Sequence, residues 1–320
     1  MKKQLVQMVW NVAAIAVVAL SVMACGQSDG ERQRLSKEEH LRRLREDSLA
    51  LKVAVLPTTD CLPLFVAKEC RLFDTLGVDV RLRLERSQMD CDALFMKGAV
   101  EGIVTDLVRC EWMKTQGMSL RYVSSTNLSW QLIANPSARV KQLKQLGDKM
   151  VAITRHSATD LLTWHVLEGV KTTAPVFRIQ INDLELRLQM LQNGELDAFW
   201  LPEPFATKAR MEKCPVIVGS EERKMRLGVI AFNEKSLVDK RRQQQLDLFL
   251  KAYNAACDSL NERGVEAYEP LLEKYCKADA QVTAALPKQK FQHATPPLAN
   301  DVEVAKDFVE RFPGGYTINN

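Results

Sequence analysis

The stretch KVAVLPTTDCLPLFVAKECRLFDTLGVDVRLRL, from Lys52 to Leu84, changes its pattern twice. Lys52 to Leu56 is the short apolar run of a buried strand. Leu64 to Leu72 has the period of a helix, and Val78 to Leu84 alternates apolar with charged residues as a half-buried strand does. A strand, a helix and a strand in so short a length predict parallel strands joined by a helix packed across them.

The same alternation runs outward along the chain. Helix Asp90–Met96, strand Gly102–Val104, helix Leu107–Thr115 and strand Leu120–Ser124 follow, then strand Trp130–Ala134, which Asn135 and Pro136 end. A second round has strands Met150–Ile153, Val176–Ile181, Ala198–Leu201 and Val216–Val218, with helices Ala158–Leu167, Leu184–Leu191 and Phe205–Met211 between them. After a strand at Leu227–Phe232 the chain turns helical at 240–261, 265–275 and 302–312, with Pro287, Pro296 and Pro297 breaking up the stretch before the last helix. The pattern is α/β in two similar rounds, hence two lobes of mostly parallel sheet covered by helices.

Upstream, Lys2 and Lys3 precede an apolar run from Val12 to Ala24, too short for the roughly 20 apolar residues a bilayer crossing needs. A secretory leader is expected at 1–24. Val22-Met23-Ala24-Cys25 resembles the lipobox of bacterial lipoproteins, which implies a lipid on Cys25 and attachment to a membrane through it. Residues 25–50 read as a tether. Residues 26–50 hold six acidic and six basic side chains, and Ser36-Lys37-Glu38-Glu39 has the form of a capping box opening a short helix.

The 320-residue chain carries a net charge of +4, and without Lys2 and Lys3 it has 42 basic and 40 acidic side chains. Near neutrality gives no basic stripe for nucleic acid. With Cys25 taken by lipid, seven cysteines remain, an odd number that excludes a complete disulfide framework, although Cys257 and Cys276 lie on successive predicted helices. No Cys-x-x-Cys occurs and the four histidines are scattered, so neither a metal nor a cofactor is expected. Motifs for hydrolase, nucleotide or zinc-protease chemistry are absent from the sequence.

Several segments come in a familiar order. Val53-Ala54-Val55-Leu56-Pro57, Leu62 to Glu69, Leu72-Phe73-Asp74, Gly77-Val78-Asp79-Val80, Gly102 to Leu107, Leu143 to Val151 and Gly194 to Pro204 together resemble type II periplasmic substrate-binding proteins of ABC importers. The group includes sulfonate, nitrate and thiamine-pyrimidine binders. The resemblance implies a two-lobed clamshell of mixed sheets flanked by helices. Lobe one would span 51–134, lobe two 135–226, and 227–320 would return to lobe one, with Trp130–Ala134 and Leu227–Phe232 as crossing strands. It further implies a small-molecule ligand in the cleft, a permease and an ATPase as partners, a monomeric state, and binding rather than turnover. Cytosolic enzymes share the fold, but the leader argues against them.

Candidate ligand residues fall on loops that follow strands. Thr154-Arg155-His156-Ser157-Ala158-Thr159-Asp160 opens a helix whose unpaired N–H groups suit an anion, with Ser157 as N-cap, Arg155 as a bidentate donor and His156 beside it. Thr58, Thr59, Asp60, Thr105 and Asp106 would face it from lobe one, although Asp60 and Asp106 are equally helix caps. Ser125 lies in a polar stretch that suits a cleft wall or a turn, and Trp130 is the tryptophan placed for stacking on a ring. Glu203, between two prolines, could accept from a ligand N–H or cap the next helix. The positive and negative candidates together suit an anionic, heteroaromatic or zwitterionic solute.

Overall fold

The computed structural model describes residues 29–314. The leader and Cys25 lie outside the described residues. By itself, Asp29–Leu49 (α1) is a 21-residue helix that starts before Ser36 and carries Arg34–Glu38 and Arg42–Glu46 pairs four residues apart. Leu41 on this helix is exposed.

From Leu51 onward the chain is a second compact unit. Its first part holds β1 (Leu51–Val55), α2 (Leu62–Glu69), α3 (Leu72–Thr75), β2 (Val80–Leu84), α4 (Gln88–Met96), β3 (Gly102–Asp106), α5 (Leu107–Thr115) and β4 (Leu120–Ser125). Its middle holds β5 (Trp130–Ala134), β6 (Met150–Ile153), α6 (Ala158–Leu167), β7 (Phe177–Gln180), α7 (Leu184–Gln192), β8 (Ala198–Pro202), α8 (Phe205–Met211) and β9 (Val216–Gly219). The rest holds β10 (Gly228–Asn233), α9 (Lys240–Arg263), α10 (Glu269–Cys276), α11 (Ala280–Ala285) and α12 (Ala299–Arg311).

Two five-stranded mixed sheets result, ordered β2-β1-β3-β10-β4 and β7-β6-β8-β5-β9. In each sheet one strand comes over from the other lobe and runs antiparallel: β10 against β3 and β4, and β5 against β8 and β9. The two strands expected to cross therefore each lie within a single sheet. Their backbone groups pair along the strand, and the crossing is left to the loops at 126–129 and 220–227. These loops pass close together: Thr126 N–H donates to Gly228 O at 2.9 Å, and a Cβ on Gly228 would sit 2.4 Å from Thr126 Oγ1. Only glycine fits there.

Apolar faces decide the packing. In lobe one, Phe249 of α9 stacks on Phe73 at 5.8 Å and Phe65 of α2 on Tyr275 at 4.2 Å. Burying side chains of this size contributes about 1.5–3 kcal/mol each. In lobe two, Leu184, Leu188 and Leu191 of α7 pack with Phe199 and Phe205. Of the tryptophans, Trp200 is fully buried with Nε1 donating to Thr163, and Trp164 meets Phe308 and Phe312 near the C-terminal helix. All seven cysteines among the described residues are free thiols, Cys257 and Cys276 included.

Candidate functional site

Where the C-terminal ends of β1 and β3 face those of β6 and β8, both lobes enclose a cavity of about 40 Å³. Open α/β sheets place ligands at such strand ends. Lobe one contributes Thr58, Gln88 and Asp106; lobe two contributes Trp130, Thr154, Ser157, Thr159, Asn182 and Arg187. Leu56, Leu128, Leu184 and Pro202 complete an apolar wall. The arrangement can hold a small molecule among hydroxyl and amide groups, an indole and aliphatic groups.

The lobes are closed on one another. Asp106 Oδ1 caps its own helix by accepting from Arg109 N–H at 2.9 Å, and it accepts from Ala158 N–H across the cleft at 3.0 Å. Arg109 donates to the Arg155 carbonyl at 3.0 Å, Thr59 N–H to Glu203 O at 3.1 Å, and Arg86 pairs with Asp183 at 2.8 Å. Burial pushes the Asp106 carboxyl up to about 7, against the pull of those two amides and of Arg109 toward the charged form.

Capping leaves the start of α6 with little to offer an anion. Ala158 N–H goes to Asp106, Thr159 N–H to Ser157 Oγ, and Asp160 N–H to Ser157 O. The amides expected to meet a ligand are engaged by the chain itself. Arg187 is the other positive feature of the site. It is 1% exposed and donates to Ile181 O at 2.7 Å, Trp200 O at 2.9 Å and Thr154 Oγ1 at 2.7 Å. Burial alone pulls its guanidinium down to about 9, so it stays charged at neutral pH.

Of the residues expected from the sequence, the structure brings Thr58, Asp106, Trp130 and Ser157 together around the cavity. The others lie outside its lining. Thr59 accepts from Gln289, and Ser125 donates to Thr295 O. Asp60 accepts from Thr126 at 2.9 Å through one oxygen, while its other oxygen and the Thr105 hydroxyl are buried without a partner. Burial raises the Asp60 pKa. Arg155 has an exposed side chain, and His156 stacks on Trp112 at 5.9 Å with its pKa lowered by burial. Glu203 takes its second option: it caps α8 through Thr207 N–H at 2.9 Å and pairs with Arg210 at 2.8 Å.

Gln88, Asn182 and Arg187 were not singled out from the sequence. For Arg187 a signal exists. It stands three residues after Leu184 and four before Leu191, so helical spacing puts a cation inside the apolar stripe of α7. A charge there needs a reason, because charged groups avoid such faces unless paired or used.

Residues 45–268 match the sequence model of the NMT1-like family. No curated protein matches the chain. Among solved structures it is similar to the periplasmic aliphatic sulphonate binding protein SsuA from Escherichia coli, with 14% identity, TM-score 0.66, and coverage of 82% of this chain and 87% of that one. It is also similar to the periplasmic nitrate-binding protein NrtA from Synechocystis PCC 6803, with 14% identity, TM-score 0.63, and coverage of 78% and 73%. The desulfurization enzyme DSZB shares the fold at 12% identity and TM-score 0.60, with coverage of 82% and 92%.

Proposed function

The chain belongs to the NMT1-like family, and from that premise we propose that it is the solute-binding lipoprotein of an ABC import system. It closes its lobes on a small polar solute and delivers it to a membrane permease driven by an ATPase. The observation that carries this reading is a cavity with walls from both lobes, bounded by hydrogen bonds that run from one lobe to the other. A site completed only when two halves meet suits capture and release by hinge motion about the loops at 126–129 and 220–227. The sulphonate-binding and nitrate-binding relatives have the same fold.

The protein acts as a monomer held by lipid on Cys25, facing the periplasm or exterior, with 25–50 as spacer. None of the helices among the described residues is long and apolar enough to cross a membrane. Labelling with a palmitate analogue tests this, and Cys25→Ser should remove the label and release the protein from membranes.

Catalysis on this fold is the second reading, because a desulfurization enzyme is built on it. No cysteine is among the residues that line the cavity. Cys61, at the start of α2, is a buried thiol held well above its ordinary pKa by burial and by Asp60 beside it, which leaves it a poor nucleophile. Thermal unfolding with sulfonates, nitrate, pyrimidines and flavins provides the test. A true ligand raises the melting temperature by mass action and is recovered unchanged. No shift from any compound, or recovery of a product, contradicts the proposal.

A further inference from the structure

We propose that Arg187 is the specificity-determining residue of the cleft, and that it selects a solute bearing an oxyanion, such as a carboxylate, sulfonate or nitrate-like group. This rests on the reading of the cleft as a solute site and names the class of solute it takes.

Three observations carry it. First, Arg187 is a buried cation whose partners are two backbone carbonyls and one hydroxyl. No carboxylate pairs with it among the described residues. An uncompensated charge in that position is costly, and proteins pair such charges or use them. Second, its three bonds account for three of the five donors a guanidinium has, and the group lines the cavity, so its remaining donors can be offered there. A planar fork of N–H groups fits two oxygens of one anion. Third, the groups beside Arg187 suit an oxyanion. Thr154 carries a hydroxyl, and Gln88 and Asn182 carry amides, from both lobes.

Asp106 is the carboxylate in the lining, and one of its oxygens is engaged by the chain itself. Its Oδ1 accepts from Arg109 N–H and Ala158 N–H, so it occupies the end of α6 and leaves Arg187 to the ligand. The size of the cavity agrees. About 40 Å³ is room for on the order of three waters, hence for an oxyanion head group, with any tail lying along the apolar wall.

The test is calorimetric titration of the full chain with methanesulfonate, acetate and nitrate, alongside the neutral methanesulfonamide and acetamide. The wild type should bind at least one anion and neither neutral compound. Arg187→Gln should weaken that anion on the order of 100-fold or more, while Arg187→Lys retains part of the affinity. Circular dichroism of both variants separates lost binding from lost folding, and the anion-against-neutral comparison needs no variant. Binding of neutral compounds in preference to anions overturns the proposal and leaves the solute-receptor reading standing. So does anion binding unchanged in Arg187→Gln. If none of the three anions binds, the proposal also falls, and the wider thermal screen then decides whether the receptor reading falls with it.

Discussion

Each lobe buries one arginine where the two halves meet, and the two are held in opposite ways. Arg109 in lobe one, 2% exposed, donates to Asp92 at 2.6 Å and reaches the Arg155 carbonyl of lobe two at 3.0 Å. Arg187 in lobe two, 1% exposed, has only neutral acceptors among the described residues. A charge with its counterion in place is part of the framework, and a charge held by dipoles alone still lacks a counterion. The contrast assigns closure to Arg109 and recognition to Arg187.

The sharpest way to break that contrast is to remove each arginine without ligand present. Arg109→Gln leaves Asp92 buried without its partner and should lower unfolding stability by about 3–5 kcal/mol, read from urea titrations. Arg187→Gln loses three hydrogen bonds but also an uncompensated charge, so its stability should stay within about 1.5 kcal/mol of the wild type. Equal losses would mean that Arg187 is structural too.

A smaller effect comes from Asp106. Its folded pKa of about 7 lies above the ordinary carboxylate value of about 3.9, so between those values the native state binds more protons than the unfolded one. Its contribution to stability is therefore full below about pH 4, is lost as pH rises toward 7, and is flat above. In scanning calorimetry, Asp106→Asn should show a flatter fall in melting temperature between pH 5 and 7.5 than the wild type. Some slope should survive, because burial also raises Asp60 and Asp92. The smallest effect belongs to Arg155. Its exposed side chain predicts that Arg155→Ala leaves ligand affinity within about two-fold, since exposed charges contribute little. A larger loss would place part of the site outside the cavity.

The fold was legible because its cues are local. Continuous apolar runs, Ser157 at the start of a helix, and Pro136 closing a strand each act within a few residues, and strands such as Trp130–Ala134 and Met150–Ile153 fall where the pattern puts them. The helix Ala280–Ala285 was missed because its six residues give less than two turns of periodicity. Within the site, long-range contacts decide. Asp106 looks like an ordinary cap, and its second donor, Ala158, lies 52 residues on. Glu203 could meet a ligand or cap the next helix, and Gln131, 72 residues away in sequence, joins Thr207 and Arg210 in occupying its carboxylate. Arg187 sat inside a stripe of leucines, visible in the sequence as a misplaced charge, but which cavity it borders is a property of the closed lobes.

Crystals of the full chain grown with selenate, an oxyanion whose position anomalous scattering reveals, test the central claim most directly. The anomalous peak should lie in the cleft within hydrogen-bonding distance of the Arg187 guanidinium and the Thr154 hydroxyl, with Asp106 still bonded to Ala158. A peak at the start of α6 with Asp106 displaced, or no peak between the lobes, would contradict the account.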